Sequence, residues 1–231
     1  AICEKNMSGQ PEIGTAFFAV NGEPYLVKIG DRLPGKAEDN MKRQAMCTRL
    51  PSRFSEAFMQ NTVQAVKAMI KDMGVKFGPV FMQGFVDGDT VRFFDPARRM
   101  PGGDYDLVLK QATGFDTVKT MIHFALTGDV SAHYGNPEDS YRLNGGICLL
   151  FAVSVRPGRI AKIAGINELL AHHDVVYARQ IIPEGEVIPD SGDIQQRVAA
   201  AGVLIPKGES PREFCDYFYR TYHVYDDSGS D

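Results

Sequence analysis

The chain has 231 residues, of which 44% are hydrophobic, and a formal net charge of −4. That length is enough for one large domain or two small ones with a proper core. Without a concentrated basic segment nucleic-acid binding is disfavoured, and no run of apolar residues approaches the roughly 18 that a membrane span needs.

The first predicted element is a β-hairpin. Residues Glu12 to Val20 and Pro24 to Gly30 are rich in β-branched and aromatic residues. The Asn21-Gly22 pair between them is typical of a type I′ turn, whose central residues both need positive φ.

The next segment, Asp31 to Arg49, is polar and basic. It reads either as a solvated surface loop or as a segment that closes over phosphates or an acidic substrate. Arg32 and Lys36 are the candidates for anion binding within it.

A long amphipathic helix is predicted to begin at Ser52 and to end at Gly74, which suits the position just after a helix. Its apolar residues recur at steps of three and four and predict one buried stripe: Met59, Val63, Val66, Ile70 and Met73.

The segment Phe77 to Gly103 predicts a second hairpin, turning at Asp87-Gly88. Directly after it come Asp95, two arginines and a Pro-Gly-Gly loop. A carboxylate and guanidinium groups beside a flexible loop suit a bound anion or metal-phosphate. The alternative is a surface salt bridge beside a Pro-Gly turn.

Two helices are predicted next, a short helical or irregular segment at Asp104 to Gln111 and a helix at Phe115 to Leu126. The apolar residues expected to share a face of the second helix are Phe115, Val118, Ile122, Ala125 and Leu126. Ile147 to Val155 is a near-continuous apolar run and predicts a covered strand. Arg156-Pro157-Gly158 is expected to turn it back into a strand at Arg159 to Gly165.

A short helix is predicted at Ile166 to Ala171, with His172 and His173 at its end. Consecutive helical residues point in different directions, so joint metal ligation by this pair is expected to be poor. Strands are predicted at Asp174 to Ile182 and at Gln196 to Ile205.

A last helix is predicted to open with a capping box, Ser210-Pro211-Arg212-Glu213. Taken together, the predicted elements indicate an α+β fold with antiparallel sheets. Cysteines stand at positions 3, 47, 148 and 215 without CxxC spacing, which disfavours a zinc site and favours a reduced, cytoplasmic setting.

The order of these features resembles the C-terminal lobe of the ATP-grasp superfamily, as in carboxylate-amine ligases, biotin carboxylase and the carbamoyl-phosphate synthase large chain. The resemblance implies a mostly antiparallel sheet with packed helices over residues 1–128. It implies a small α+β C-terminal subdomain continuing the same fold over residues 129–231.

The segment from Asp95 to Gly103 resembles a pattern in that family, in which an acidic residue, an Asn and an Arg precede a Gly-rich turn. The resemblance implies that Asp95, with Gln83 one hairpin upstream, holds Mg²⁺, and that Arg99, with Arg98 as the lesser partner, is catalytic. Where the family has Asn, this chain has Ala97, and where it has a second carboxylate, this chain has the neutral Gln83.

The opening segment resembles the family's hinge, which meets ATP. The resemblance implies nucleotide contacts from Glu4, Lys5, Met7 and Glu12, and from the backbone of Gly102 and Gly103 near the substrate. Because Glu4 would be the hinge residue, we expect the chain to be a fragment whose N-terminal lobe is absent.

The function that the resemblance implies is ATP-dependent activation of a carboxylate as an acyl phosphate, which an amine or thiol attacks. ATP and Mg²⁺ would be the cofactors, the substrates would be small molecules, and the isolated fragment would be inactive. Two alternatives stay open: a degenerate module that binds nucleotide or a protein partner without catalysis, and an interaction module without a nucleotide site.

Overall fold

A computed structural model describes residues 6–7, 9–34, 45–191 and 194–229. They form two compact units that alternate along the chain. The first unit takes in the described residues of Ala1–Arg32, Leu50–Pro101 and Phe115–Tyr141, and the second those of Leu33–Arg49, Gly102–Gly114 and Arg142–Asp231. The sequence-based division at residue 128 stays a prediction.

Strands and helices follow one another in a mixed order, which matches the predicted α+β class. The strands are β1 (Glu12–Val20), β2 (Glu23–Pro34), β3 (Ala45–Leu50), β4 (Gly78–Asp87), β5 (Thr90–Ala97), β6 (Ile147–Ser154), β7 (Gly158–Ala164), β8 (Val175–Gln180), β9 (Val187–Ile188), β10 (Arg197–Ile205) and β11 (His223–Asp226). The helices are α1 (Ser55–Asn61), α2 (Val63–Asp72), α3 (Tyr105–Thr113), α4 (Thr117–Thr127), α5 (Ile166–Ala171) and α6 (Pro211–Thr221). In the described residues, no helix is both long and apolar enough to span a membrane.

The first unit contains antiparallel strands in the order β5, β4, β1, β2. The predicted hairpin of β1 and β2 is confirmed, and both turn residues, Asn21 and Gly22, have positive φ. The second hairpin is also present, but its turn residues are Gly88-Asp89, one position later than predicted.

The prediction of a loop over Asp31 to Arg49 is wrong at both ends. β2 runs on to Pro34, and β3 occupies Ala45–Leu50. The alternation along β2 continues past Gly30, because Asp31 is buried while Arg32 is half-buried on the other face. Lys36 lies outside the described residues.

The predicted long helix is two helices, separated at Thr62, which has φ −127°. It begins at Ser55 rather than Ser52, because the Asp31 carboxylate accepts hydrogen bonds from the Ser52 hydroxyl, at 2.5 Å, and from the Arg53 amide. Val63, Val66 and Ile70 are buried as predicted, but Met73 at the helix end is exposed.

The sheet of the first unit has a helix-covered face. Helices α1 and α2 pack on one side and bury an apolar cluster that includes Ile13, Phe17, Ile29, Phe58, Ile70 and Met82. On the other side, Phe18 packs edge-on against Phe77 and Phe115, with ring centres 5.4 Å apart in both pairs.

Helix α4 confirms a predicted element. Val118, Ile122 and Leu126, which were expected to share a face with Phe115, are exposed, whereas Phe115, Thr117 and Thr120 are buried. Phe124 stacks on Phe77 with ring centres 4.2 Å apart, and this contact turns the other apolar residues outward.

The second unit contains strands in the order β3, β6, β10, β8, and β10 is antiparallel to both neighbours. The strand predicted at Arg159 to Gly165 is present as β7, but it does not pair with β6. β7 instead lies between β9 and β11 in a separate three-stranded sheet, because these distant segments supply its partners.

Helix α6 packs Phe214 and Phe218 into the core of the second unit. It begins with Pro211 as predicted, but the capping box is absent, since the Ser210 side chain makes no cap hydrogen bond. The Glu213 amide instead donates to the Ser210 carbonyl oxygen at 3.1 Å.

Candidate functional site

One face of the first unit carries a concentration of polar and charged side chains. Residues directly opposite in antiparallel strands share a face. The strand register gives this face three rows: Lys28, Ala16, Phe81 and Ala97; Gly30, Gly14, Gln83 and Asp95; Arg32, Glu12 and Phe85. We call this surface the polar face; it is the reverse of the face covered by α1 and α2.

Asp95 and Gln83 are direct partners across β4 and β5. Their pairing depends on a bulge, because the register shifts between Gln83 and Gly84 and leaves Phe94 as the extra residue of β5. Phe94 stacks on Phe85 with ring centres 5.0 Å apart. The bulge therefore places an exposed carboxylate opposite a half-buried amide oxygen.

Two cations lie close to the Phe81 ring. The Lys28 ammonium is 6.0 Å from its centre and the Arg99 guanidinium carbon is 5.2 Å from it. Both distances are within the range of cation–π attraction. Arg99 also donates to the Met100 carbonyl oxygen at 3.0 Å. Arg99 is therefore held over the same face that carries Gln83 and Asp95.

Arg98 contacts the backbone rather than the polar face. Its guanidinium donates to the Phe77 carbonyl oxygen at 2.9 Å, just before β4 begins. This bond ties the end of β5 to the start of β4, which is a structural role and leaves Arg99 as the better candidate for chemistry.

Glu12 and Arg32 form an ion pair on the polar face, with 2.5 Å between Glu12 Oε1 and Arg32 Nε. Both side chains are mostly buried. In this structure the Glu12 carboxylate, which was predicted to contact the nucleotide, pairs with Arg32 instead.

Gly102 and Gly103 belong to the second unit. The Gly103 carbonyl accepts a hydrogen bond from the Tyr177 hydroxyl at 2.6 Å. The following residue, Asp104, has φ +50° and forms an ion pair with Arg179. Two side chains of β8 therefore fix the backbone of this loop.

The predicted hinge is only partly described. Met7 is buried, and its carbonyl accepts from the Gln10 amide at 3.1 Å. Glu4 and Lys5 lie outside the described residues.

Comparison with known proteins gives results for structure only. A scan against protein-family models and a search of curated proteins both found no match. Among solved structures, an L-amino acid ligase from Bacillus licheniformis matches 94% of this chain and 52% of its own, with a TM-score of 0.74 and 16% identity.

Two further structures match at similar levels. A phosphoribosylglycinamide synthetase from Anaerococcus prevotii matches 96% of this chain and 55% of its own, with a TM-score of 0.72 and 13% identity. The biotin carboxylase domain of Hydrogenobacter thermophilus 2-oxoglutarate carboxylase, solved with MgADP and bicarbonate, matches 96% and 47%, with a TM-score of 0.68 and 16% identity. This chain has the ATP-grasp fold. It spans about half the length of the structures it matches.

The donor set of the polar face fits a magnesium ion that takes most of its ligands from phosphate and water. Mg²⁺ prefers hard oxygen donors and is commonly held by one or two carboxylates beside substrate phosphates. Asp95 offers a carboxylate, and Gln83, directly across the strand pair, offers an amide oxygen. Ala97, on the next row, offers no ligand.

The sequence-based site omitted Lys28, although it is only 5% exposed and lies on the polar face. The available signal was a lysine inside the apolar strand segment Tyr25 to Ile29. A buried ammonium is costly unless it has a partner or a function. Its alternation with Gly30 and Arg32 along β2 would have placed all three on one face.

Proposed function

We propose that the chain is part of an ATP-dependent ligase that activates a small carboxylate as an acyl phosphate for attack by an amine or thiol. The observation that carries the proposal is the polar face, where Lys28, Arg32 and Arg99 accompany Asp95 and Gln83 in a chain with the ATP-grasp fold. A surface with three cations, one of them already paired with Glu12, and one further carboxylate at Asp95 suits a metal-bound polyphosphate.

In the proposed reaction, a carboxylate oxygen of the substrate bonds to the γ-phosphorus of ATP, and the bond from that phosphorus to the β-γ bridging oxygen breaks to release ADP. The amine or thiol then bonds to the acyl carbon, phosphate leaves, and the nucleophile loses a proton. Because negative charge shifts among oxygens in both steps, catalysis consists mainly of positioning and charge stabilisation.

We assign the charge-stabilising role to Arg99 and the metal-holding role to Asp95 and Gln83. Bound Mg²⁺ would supply charge neutralisation at the phosphates. Lys28 and Arg32 add positive charge on the same face. Arg98, bonded to the Phe77 carbonyl, supports the position of Arg99.

We retain the nucleotide contacts of Glu4, Lys5, Met7 and Glu12, and the backbone role of Gly102 and Gly103, as parts of the proposal. Glu12 would have to exchange Arg32 for the nucleotide. A reduced, cytoplasmic setting also belongs to the proposal, supported by Cys47, Cys148 and Cys215, which are thiols rather than disulfides.

The test is Arg99→Ala in the full-length protein. We expect ADP release with the acid and amine substrates to fall by a factor of roughly a hundred or more, as for removal of a group that stabilises transition-state charge. Arg92→Ala is the matched control, because Arg92 lies on β5, the strand just before Arg99, but pairs with Asp87 near the hairpin turn. Normal ADP release by the Arg99 variant would exclude the assigned role.

The second candidate is a module that binds nucleotide without catalysis. Gln83 and Ala97 favour it, because the metal pair then has a single negative charge. Calorimetric titration with Mg-ATP, run beside a screen for substrate-dependent ADP release, separates the two. Saturable binding with no ADP release from any acid and amine pair supports the second candidate.

A further inference from the structure

A cluster of two imidazoles and a carboxylate lies after α5 in the second unit. The sequence places His172, His173 and Asp174 in succession, and consecutive helical positions would separate their side chains. The helix, however, ends at Ala171, and His172 has extended backbone angles, φ −76° and ψ 132°. The predicted obstacle to joint ligation is therefore removed by the chain conformation.

The three side chains present their donor atoms to a common space. One donor atom from each residue lies within 4.8 Å of the other two. His173 Nε2 is 3.4 Å from Asp174 Oδ1, and His172 Nδ1 is 3.9 Å from Asp174 Oδ2. Donors bound tetrahedrally to Zn²⁺ at about 2.1 Å are roughly 3.4 Å apart, so small side-chain rotations would close these distances on one ion.

The carboxylate of Asp174 is the second observation that indicates a cation. Its side chain is only 7% exposed. Among the residues that the structure describes, the cationic or potentially cationic groups within 4.0 Å of it are these two imidazoles. A buried carboxylate without compensating positive charge is costly, and a divalent ion between the three side chains would supply that charge.

Aromatic packing holds His172 in place. Its ring lies 4.7 Å from that of His173 and 4.6 Å from that of Tyr217, with Phe214 edge-on at 5.1 Å. The Asp174 amide donates to His172 Nδ1 at 3.3 Å, a long bond that metal ligation at Nδ1 would replace. Such outer contacts orient metal-binding histidines and tune their affinity.

We propose that His172, His173 and Asp174 form a binding site for a divalent transition metal of the zinc type. Two imidazoles and one carboxylate are a donor set that suits Zn²⁺, whereas Mg²⁺ and Ca²⁺ prefer oxygen ligands alone. His173 is 76% exposed, so water can complete the coordination from that side. The site belongs to the second unit and is independent of the proposed ATP chemistry.

The test is calorimetric titration of the untagged, chelator-treated chain with Zn²⁺ alone. We expect one equivalent to bind saturably, and an excess of Mg²⁺ to leave this binding unchanged. His173→Gln and Asp174→Asn should each weaken it by a factor of about ten or more, because each removes one of three ligands. His133→Gln is the matched control, since His133 is an exposed histidine in the first unit.

Circular dichroism checks that each variant is folded. Because His173 is exposed and Asp174 is buried, His173→Gln is less disruptive to folding than Asp174→Asn. Co²⁺ in place of Zn²⁺ gives a second readout, because a four-coordinate site with nitrogen ligands has a visible absorption band that His173→Gln should remove. Absence of saturable Zn²⁺ binding, or equal affinity in wild type and His173→Gln, would overturn the proposal.

Discussion

Lys28 is a buried lysine within an otherwise apolar stretch of β2, and its ammonium faces the ring of Phe81. Its location on the polar face suggests that its charge serves an anionic ligand rather than the core. The neighbouring Arg32 is already neutralised in part by Glu12.

Replacement of Lys28 by Met tests this role, because Met keeps the length of the apolar stem and removes the charge. We expect the full-length protein to bind Mg-ATP at least about tenfold more weakly, as loss of a buried charge-assisted contact predicts. Isothermal titration measures the affinity, with circular dichroism as the check on folding. An unchanged affinity would mean that Lys28 is structural.

Cys47 provides a pH-dependent prediction at the same scale. Burial, with a smaller contribution from Cys215, raises the pKa of the Cys47 thiol to about 12. Since the thiolate is the reactive form, the folded protein should resist alkylation at neutral pH and become reactive only as the pH approaches that value.

Iodoacetamide labelling followed by peptide mass spectrometry checks this expectation. At neutral pH, Cys47 in the folded chain should react about a hundredfold or more slowly than in the urea-unfolded chain. The unfolded chain is the control, because its thiols have ordinary pKa values. Equal rates in the two states would contradict the raised pKa.

At the scale of elements, β8 and β10 together determine the position of the Gly102-Gly103 loop. The Tyr177 ring of β8 lies against Gly202 of β10, and a Cβ at position 202 would overlap the ring. The same tyrosine donates to the Gly103 carbonyl. Gly202 therefore supports the loop without touching it.

Gly202→Ala should lower the free energy of unfolding by about 1–3 kcal/mol, because the added methyl forces the Tyr177 ring to move. Urea denaturation measures the change. A double variant that also carries Tyr177→Leu should recover part of the loss, because the two positions are coupled. Additive losses in the double variant would show that the overlap is relieved elsewhere.

At the scale of the whole molecule, the chain spans about half the length of the matched ATP-grasp structures. The proposed nucleotide site draws on residues at the beginning of the chain and on the polar face of the first unit. Because we propose that the chain is part of a longer ligase, we expect the 231-residue chain alone to bind Mg-ATP weakly and to release no ADP.

The comparison to make is between this chain and the full-length protein, with the same acid and amine substrates. Calorimetry reports nucleotide affinity and a coupled assay reports ADP. The expectation is tighter binding and turnover in the longer form only. Equal turnover by the 231-residue chain would show that it carries a complete active site.

Local signals explain why much of the fold was predictable from the sequence. The Asn21-Gly22 turn and the apolar alternation beside it specified the first hairpin, because turn residues and strand periodicity act over a few positions. The pairing of β7 with β9 and β11 was missed, since it depends on segments far apart in the chain.

Periodicity also does not say which face of a helix is covered. The apolar residues of α4 indicated a helix correctly, yet Ile122 and Leu126 are exposed, while Thr120 is buried and Phe124 stacks on Phe77. At the candidate site, Asp95 and Gln83 were named as metal ligands from the family resemblance, whereas their pairing and the place of Lys28 on the same face follow only from the strand registers.

The bulge in β5 has a consequence for self-association. β5 is the edge strand of the first unit, and exposed edges tend to recruit strands from other molecules. Pro96 lacks an amide hydrogen, and the extra residue Phe94 interrupts the regular ladder. The bulge that places the Asp95 carboxylate opposite Gln83 therefore also discourages strand pairing between molecules. This edge can stay accessible to small ligands without promoting aggregation.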